Sequence, residues 1–559
     1  MLMYRASVCT CRWMLAMSCL VAIPSLSVAE DQQVKPAVAK TTNTTNSPET
    51  TPQPVDGREL FLRKWVPNDS RSHGGDGLGP LFNDSSCVAC HNQGGTGGGG
   101  PRGKNVDIFT AFSLPIHVPS RPPRPPRPQL HVSRQKPSVA EQLLGSLLHK
   151  PSDKPATLKP PEKQNANEEA KEAAEFKRRQ EELVKATKKR HRQQLTRFHP
   201  GFAQGNSIVL HRGATYAGYQ AWRDNAAQGV LRVNSFPDLE MFDANSGMNS
   251  NATTPAVSRV HRQQRSRAQQ QQPSTMQIRL GHFTVTRSQR NATALFGAGR
   301  IEGISKETLV ALAEQQRKGG VVSGRVPLLK DNKIGRFGWK GQTANLDEFV
   351  LTACAVEIGL NVPNHPQSGV PHSPNYRPTG FDMNMEECNA LTEYVRDLPA
   401  PVQANTTDKH NAKFVQAGEA VFARVGCANC HVENVGDIQG LFSDLLLHDM
   451  GDALGDSGDS YGIFVPDSTP KGDVIPQLAN SQSEKQIIGA TRKEWRTPAL
   501  WGVRNSAPYL HDGRADTLEQ AIALHGGESE HSSNMYFALS DEERFQLVSF
   551  LRSLTAPVQ

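Results

Sequence analysis

Long apolar runs are missing from this 559-residue chain after residue 29, so no later segment reads as a membrane span, which takes about 20 consecutive apolar residues. Apolar residues are scarce throughout, at 37%, against 46 glycines and 38 prolines, and the mean hydropathy is −0.52. That balance argues against one large core and predicts smaller cores separated by long loops and unfolded segments. Cysteine is sparse as well. Of nine, Cys9, Cys11 and Cys19 fall in the N-terminal leader and four more sit in two short clusters. Only Cys354 and Cys388 remain to form a disulfide or to stand as two buried thiols. The formal charge of +7 is carried by Lys and Arg crowded into segments that read as unfolded or as solvated helix. Nucleic acid is therefore not an expected partner, and the charge is read as solvation with weak steering of an acidic partner.

In the leader, Arg5 and Arg12 precede an apolar run that ends in Ser27-Val28-Ala29 before Glu30-Asp31, the pattern of a secretory signal over 1–29. A periplasmic or otherwise exported protein is expected. Residues 30–56 read as a flexible tether, and structure is expected from Gly57. The block at about 118–200 reads as an insertion: polyproline in "VPSRPPRPPRPQ", then a charged helical stretch, "NEEAKEAAEFKRRQEELVKATKKRHRQQL", without an apolar stripe. A second low-complexity loop follows at 262–275. An internal repeat organises the rest. "ALTEYVRDLPAP" (390–401) and "QLVSFLRSLTAP" (546–557) share helical spacing, with Leu391, Tyr394, Val395 and Leu398 matching Leu547, Phe550, Leu551 and Leu554. Each closes a module, one spanning 57–400 and the other 401–559.

Each module carries one cysteine cluster, Cys87-Val88-Ala89-Cys90-His91 and Cys427-Ala428-Asn429-Cys430-His431. Both are C-x-x-C-H, the c-type haem attachment signature. Two cysteines three apart on a helical turn reach the two vinyl groups of one haem, and the adjacent histidine then points at the iron. The expected cofactors are two covalently bound haems, on Cys87 and Cys90 and on Cys427 and Cys430, with His91 and His431 as iron ligands. A zinc site needs further paired Cys or His ligands at matching spacing, which the sequence does not offer.

The stretch "YLHDGRADTLEQAIALHGGE" (509–528) supplies one more ligand. Asp516 with Glu519 reads as a capping box, and Leu518, Ala521, Ile522 and His525 fall on one helical face, so His525 is expected to close the second iron. The other reading is a hydrogen-bonded core histidine. His511 is expected to brace its turn or a haem propionate. A fainter repeat, "TALFGAGRIEGISKETLVALAEQQ" (293–316) against 498–525, places Gln316 where the second module has His525. Glutamine is a poor haem ligand, so the first iron is expected to keep an exchangeable face. For acid/base work there, Glu302 in "GRIEGIS" is the candidate carboxylate, with Glu314 in reserve. If the chain were instead a carrier with both irons closed, His117, His211 or His282 would close the first.

These stretches, with "FNDSSCVACHNQGGTGGGG", "GRFGWKGQTANLDEFV", "EWRTPALWG" and "LHGGES", resemble the di-haem oxidoreductases, also called thiol oxidoreductases, distant relatives of bacterial di-haem cytochrome c peroxidases. The resemblance spans most of 57–117 and 201–559. It implies a mainly α protein of two cytochrome c-like helical haem domains with long loops and a low-complexity insertion. It also implies peroxide as substrate, a small redox protein as electron donor or acceptor, and a calcium ion between the domains. For calcium, "GDALGDSGDS" (451–460) offers only acidity. In the peroxidases a methionine stands where this chain has His525, and a second histidine lowers the potential of that iron. A third possibility is an enzyme that stores oxidising equivalents on both haems and modifies a protein partner.

Overall fold

The computed structural model describes residues 54–113, 164–203, 205–227, 276–280, 283–371, 373, 375–401, 409–456 and 488–557. The expected signal, the polyproline run, the 262–275 loop, His117 and His282 lie outside the described residues. In chain order, α1 (Gly57–Leu62) comes first, and β1 (Leu81–Phe82) and β2 (Val106–Ser113) flank the first cysteine cluster. Then come α2 (Gln164–Phe198), β3 (Ser207–Leu210), β4 (Gly213–Ala214), α3 (Tyr219–Ala227), β5 (Met276–Leu280) and β6 (Phe283–Arg290). After them run α4 (Ala298–Gly303), α5 (Lys306–Gly319), α6 (Leu346–Ala353) and α7 (Met385–Arg396). The last stretch holds α8 (Lys409–Arg424), β7 (Leu447–Asp449), β8 (Glu494–Arg496), α9 (Leu518–Leu524), α10 (Glu530–Ala538) and α11 (Asp541–Ser553). Among the described residues the protein is mainly helical with small sheets, and no helix is long and apolar enough to cross a membrane.

The internal repeat is a repeated helix crossing. The closing helices α7 and α11 bury Leu391 and Val395, and Leu547, Phe550 and Leu551, on the faces their spacing predicted. Each starts at a capping box, Asn384 with Glu387 and Ser540 with Glu543. The opening helices α1 and α8 cross them at a glycine. A Cβ on Gly57 would lie 2.0 Å from the Ala390 carbonyl oxygen, and one on Gly418 would lie 2.0 Å from that of Gln546. Four residues on, Phe61 and Phe422 reach the cores, where Phe61 packs on Tyr394 and Phe422 on Phe550. Two apolar clusters result. One gathers Leu60, Phe61, Leu346, Leu391 and Val395, and the other Val421, Phe422, Leu547, Phe550 and Leu551. The loop after the second cysteine cluster sends Leu441 and Leu445 into the first core.

Within the expected insertion the described residues form α2, and beside it lies a sheet, outside 118–200, that the sequence reading did not anticipate. Four antiparallel strands run in the order β3-β2-β6-β5, with Phe109 opposite Ile208 on one side and Arg287 on the other. A third cluster, of Phe109, Ala111, Leu195, Phe202, Ile208, Leu210 and Val285, joins this sheet to the C-terminal end of α2. Between Lys171 and Arg190 the side chains of α2 that are described are largely exposed, as the charge pattern predicted. Arg192 fastens its end by donating to the carbonyls of Phe202, Ala203 and Gly205.

Two candidate haem cavities

A cavity lies against each cysteine cluster. The larger, about 280 Å3, is lined by Cys427, Cys430, His431, Leu500, Ile522 and His525. The smaller, about 110 Å3, is lined by Cys87, Cys90, His91, Phe349, Cys354 and Glu357. The three expected iron ligands share one arrangement. His91 Nδ1 donates to the Gly98 carbonyl at 3.2 Å, His431 Nδ1 to that of Phe442 at 2.9 Å, and His525 Nδ1 to that of Ala521 at 2.7 Å. A carbonyl can only accept, so in each ring the proton sits on Nδ1 and Nε2 keeps its lone pair, the usual preparation of a metal-ligating imidazole. Burial pushes His431 down to about 4 and lowers His91 and His525 as well, against the carbonyls that favour the cation. All three rings are therefore neutral near pH 7. Phe61 and Phe422 pack on the rings of His91 and His431, at 6.4 and 6.2 Å between centroids.

His525 reaches its cavity from the C-terminal end of α9. The expected cap is displaced by one residue: Thr517 accepts from the Gln520 amide, and Gln520 returns a bond to the Thr517 amide. Asp516 instead pairs with Arg102 at 2.7 Å. Threonine has the extended backbone of an N-cap here, while the Asp516 side chain is drawn to the cation.

Gln316 does not take the place in the first cavity that the fainter repeat gave it. Helix α5 runs to the second cysteine cluster, where Gln316 donates to the Asn429 carbonyl and to Asp444 and accepts from the Gly324 amide. Glu302 is likewise not brought to the first cavity. Its carboxylate accepts from Arg396 at 2.8 Å and from the Leu346 amide at 2.7 Å, so it caps α6 and braces α4 against α7. Glu314 is exposed. Among the described residues His91 is the one histidine lining the first cavity, and His211, the carrier candidate, donates from Nε2 to the Val356 carbonyl at 2.9 Å outside it. Cys354 and Cys388 are free buried thiols, with burial pushing Cys388 up to about 12 and Cys354 well above its usual value.

Sequence reasoning missed two residues. Glu357 lines the first cavity from a π-helical turn, Cys354–Ile358, that continues α6, and its Oε2 accepts from Asn83 Nδ2 at 2.5 Å. A π turn inside a helical run often marks a functional site, but nothing in "LTACAVEIGL" announces it. Trp339 lines both cavities, with its Nε1 donating to the Asn291 carbonyl at 2.8 Å. "FGWKGQ" held that signal, since a tryptophan between glycines in a loop is placed there for a reason other than helix packing.

The donor set fits haem better than zinc. Among the described residues one group of three candidate metal-ligating side chains occurs, Cys430, Asp444 and His448. Both nitrogens of His448 donate to carboxylates, to Asp444 at 2.8 Å and Glu528 at 2.9 Å. Despite burial, these partners push it up to about 12. An imidazolium has no lone pair for a metal. A haem also brings two carboxylates, and buried cations stand beside both cavities: Arg290 lines the smaller, Arg496 the larger, and Lys340 lies over the Trp495 ring at 3.7 Å. Two residues lining the larger cavity, Trp501 and His511, have a buried ring nitrogen without a hydrogen-bond partner among the described residues; His511 Nε2 lies 3.6 Å from Asp456, beyond hydrogen-bond distance, and its ring stacks on Trp495 at 3.7 Å. Orphans of this kind are rare and mark where a bound group completes the bonding. The described aspartates of the acidic 451–460 run are already matched, Asp452 by Lys493 and Asp456 by Arg290.

A family model described as "Di-haem oxidoreductase, putative peroxidase" matches residues 180–463 and 477–554, more than half of the chain and including Cys427, Cys430, His431 and His525. The chain is 32% identical over 146 residues to methylamine utilization protein MauG of Methylorubrum extorquens, covering 25% of this chain and 34% of that protein. It is 28% identical over 192 residues to cytochrome-c peroxidase IdrP2 of a Pseudomonas species, covering 31% and 50%. It is 29% identical over 239 residues to hydrazine synthase subunit gamma of Kuenenia stuttgartiensis, covering 39% and 60%. The alignments thus span between a third and three fifths of these relatives. Among solved structures, hydrazine synthase from Kuenenia stuttgartiensis overlays at a TM-score of 0.24 with 22% identity, over 48% of this chain and 73% of that one. A MauG-like protein associated with microbial copper homeostasis gives 0.23 and 16%, over 46% and 90%. Both overlays are too loose to carry an argument about the fold. The match over most of the chain, together with the cysteine clusters and the prepared histidines, makes this chain a member of the di-haem oxidoreductase family.

Proposed function

We propose that the protein is an exported di-haem c-type oxidoreductase of the peroxidase kind. Two cytochrome c-like modules, 57–400 and 401–559, each hold one haem: Cys87, Cys90 and His91 the first, Cys427, Cys430 and His431 the second. The observation that carries this reading is the unequal supply of prepared imidazoles. The larger cavity is lined by His431 and His525, both with Nε2 left free for a metal, while the smaller has His91. His431 and His525 would hold the second haem for storing and passing an electron, and His91 would hold the first with room for a small oxidant such as hydrogen peroxide.

When bound, the haem irons supply the electrons for cleaving the O–O bond. The chain supplies the proton handling. Glu357 takes the place first given to Glu302, because it lines the first cavity and Asn83 fixes one of its oxygens. It takes a proton from the entering peroxide and returns it to the departing oxygen, which leaves as water. Phe349, Val350 and Ala353 keep the adjoining wall apolar and limit competing bulk water. Trp339 lies on the electron path, since its ring borders both cavities. A small soluble redox protein completes the circuit.

Rapid mixing of the mature protein with hydrogen peroxide tests the assignment. The wild type should show a fast change in the haem spectrum, and Glu357→Gln should slow it about 100-fold or more with both haems retained. A wild type whose spectrum ignores peroxide is an electron carrier. A Glu357→Gln protein that reacts at the wild-type rate removes Glu357 from the chemistry.

A further inference from the structure

The π turn that carries Glu357 is held from outside by the four-stranded sheet. A helix leaves its last carbonyls without partners, and these must be met by other groups when they are buried. At Cys354–Ile358 three of these carbonyls are met from two other segments, 79–84 and the residues after β3. The Val356 carbonyl accepts from His211 Nε2 at 2.9 Å, that of Glu357 accepts from the amides of Asn83 at 2.6 Å and Asp84 at 3.2 Å, and that of Ile358 from the Gly79 amide at 3.4 Å. The fit is close: a Cβ on Gly79 would lie 2.0 Å from the Gly359 carbonyl oxygen, and Gly359 itself has a φ of +74°.

Two neighbouring residues that follow β3 of the sheet reach this turn. His211 follows β3, and its bond goes directly to the turn. Arg212 donates its amide to Asn83 Oδ1 at 3.0 Å, and Asn83 Nδ2 then donates to Glu357 Oε2 at 2.5 Å. His211 is in turn gripped by its own subdomain, since its carbonyl accepts from Tyr219 Oη at 2.9 Å and Arg223 Nε at 2.7 Å. Arg223 is anchored on Asp107 of the central strand. The ring is 1% exposed, and its Nδ1 has no hydrogen-bond partner among the described residues, so one bond, to Val356, orients it.

We propose that His211 is a positioning residue for Glu357: the sheet fixes the backbone of the π turn through Val356, and so aims the carboxylate into the first haem cavity. The inference rests on the assignment of Glu357 as the acid/base. It gives a role to a sheet that the sequence reading did not anticipate.

The test is a double-substitution cycle in the mature di-haem protein, read as the rate of the spectral change on mixing with hydrogen peroxide. His211→Phe keeps a ring and removes the donor, and should slow the reaction about 10-fold or more with both haems present. His211→Gln, which keeps a donor, should recover most of that loss. In a Glu357→Gln background, His211→Phe should slow the reaction by less than about 2-fold, because the group it positions is gone. A residue that merely supports the fold would slow both backgrounds alike, and that result overturns the proposal, as does a wild-type rate for His211→Phe. If Glu357→Gln alone reacts at the wild-type rate, the acid/base assignment fails instead. Should His211→Phe fail to mature with haem, Tyr219→Phe loosens the same grip more gently. A loss of about 3-fold confined to the Glu357 background then supports the proposal, and an unchanged rate overturns it.

Discussion

At the scale of single residues, the decisive feature is which nitrogen of each histidine is already committed. His91, His431 and His525 all give Nδ1 to a backbone carbonyl, and this separates them from the buried histidines His211 and His448, whose Nε2 atoms donate to protein oxygens. His525→Ala should therefore convert the second haem from a low-spin to a high-spin or labile form while leaving the first unchanged, as read by its absorption spectrum. An unchanged spectrum makes His525 a core histidine. The candidate ligands were legible in the sequence because C-x-x-C-H and the i, i+3, i+4, i+7 face that ends in His525 are local patterns. Glu302, Gln316 and Glu357 were not, because each depends on where an element ends up. Gln316 occupies the right place on α5, but α5 leads to the other module's cysteine cluster. Glu302 sits beside glycines as supposed, but Arg396 and the first turn of α6 claim its carboxylate.

At the scale of elements, the same helix crossing occurs twice, α1 on α7 and α8 on α11, with a glycine at each contact. Gly418→Ala forces a methyl against the Gln546 carbonyl and should destabilise the protein by about 2 kcal/mol, with overpacking costs of 1–3 kcal/mol as the guide. Gly303→Ala is the control. Nothing lies within 4 Å of its added Cβ, so its denaturation midpoint should match or exceed the wild type. The closing helices were legible as a repeat because their buried faces are apolar at helical spacing. The opening pair was half legible: the shared Gly-x-x-x-Phe of Gly57 to Phe61 and Gly418 to Phe422 is too short to stand out alone. The sheet went unread although "VDIFTAF", "SIVL" and "FTVT" are rich in β-branched and aromatic residues. β2, β3 and β6 are far apart in sequence, so nothing local shows that they pair; β5 and β6 are two residues apart, and that hairpin went unread.

At the scale of the whole molecule, the two cavities share a wall of Asn291, Ala292, Thr293 and Trp339, which suits electron passage between them. The buried neutral histidines also give stability a direction with pH. Burial pushes His211 down to about 4, below the 6.5 of a free histidine, so the unfolded chain binds the extra proton first as the pH falls. Stability from this group is full above about pH 6.5 and is lost as the pH falls towards 4. Between pH 7 and pH 5 it should amount to about 2 kcal/mol. Urea unfolding of the wild type and of His211→Gln at both pH values checks this: the wild type should lose more stability than the variant, and equal losses mean that His211 is not a buried neutral ring.

The central claim is that the mature chain carries two haems of unequal ligation. Electron paramagnetic resonance of the oxidised protein, recorded with and without hydrogen peroxide and normalised to iron per chain, tests it most directly. The expected result is two irons per chain, one giving a high-spin ferric signal that changes on adding peroxide and one giving a low-spin signal of bis-histidine type. Two low-spin signals indifferent to peroxide, or a single iron per chain, would contradict the account.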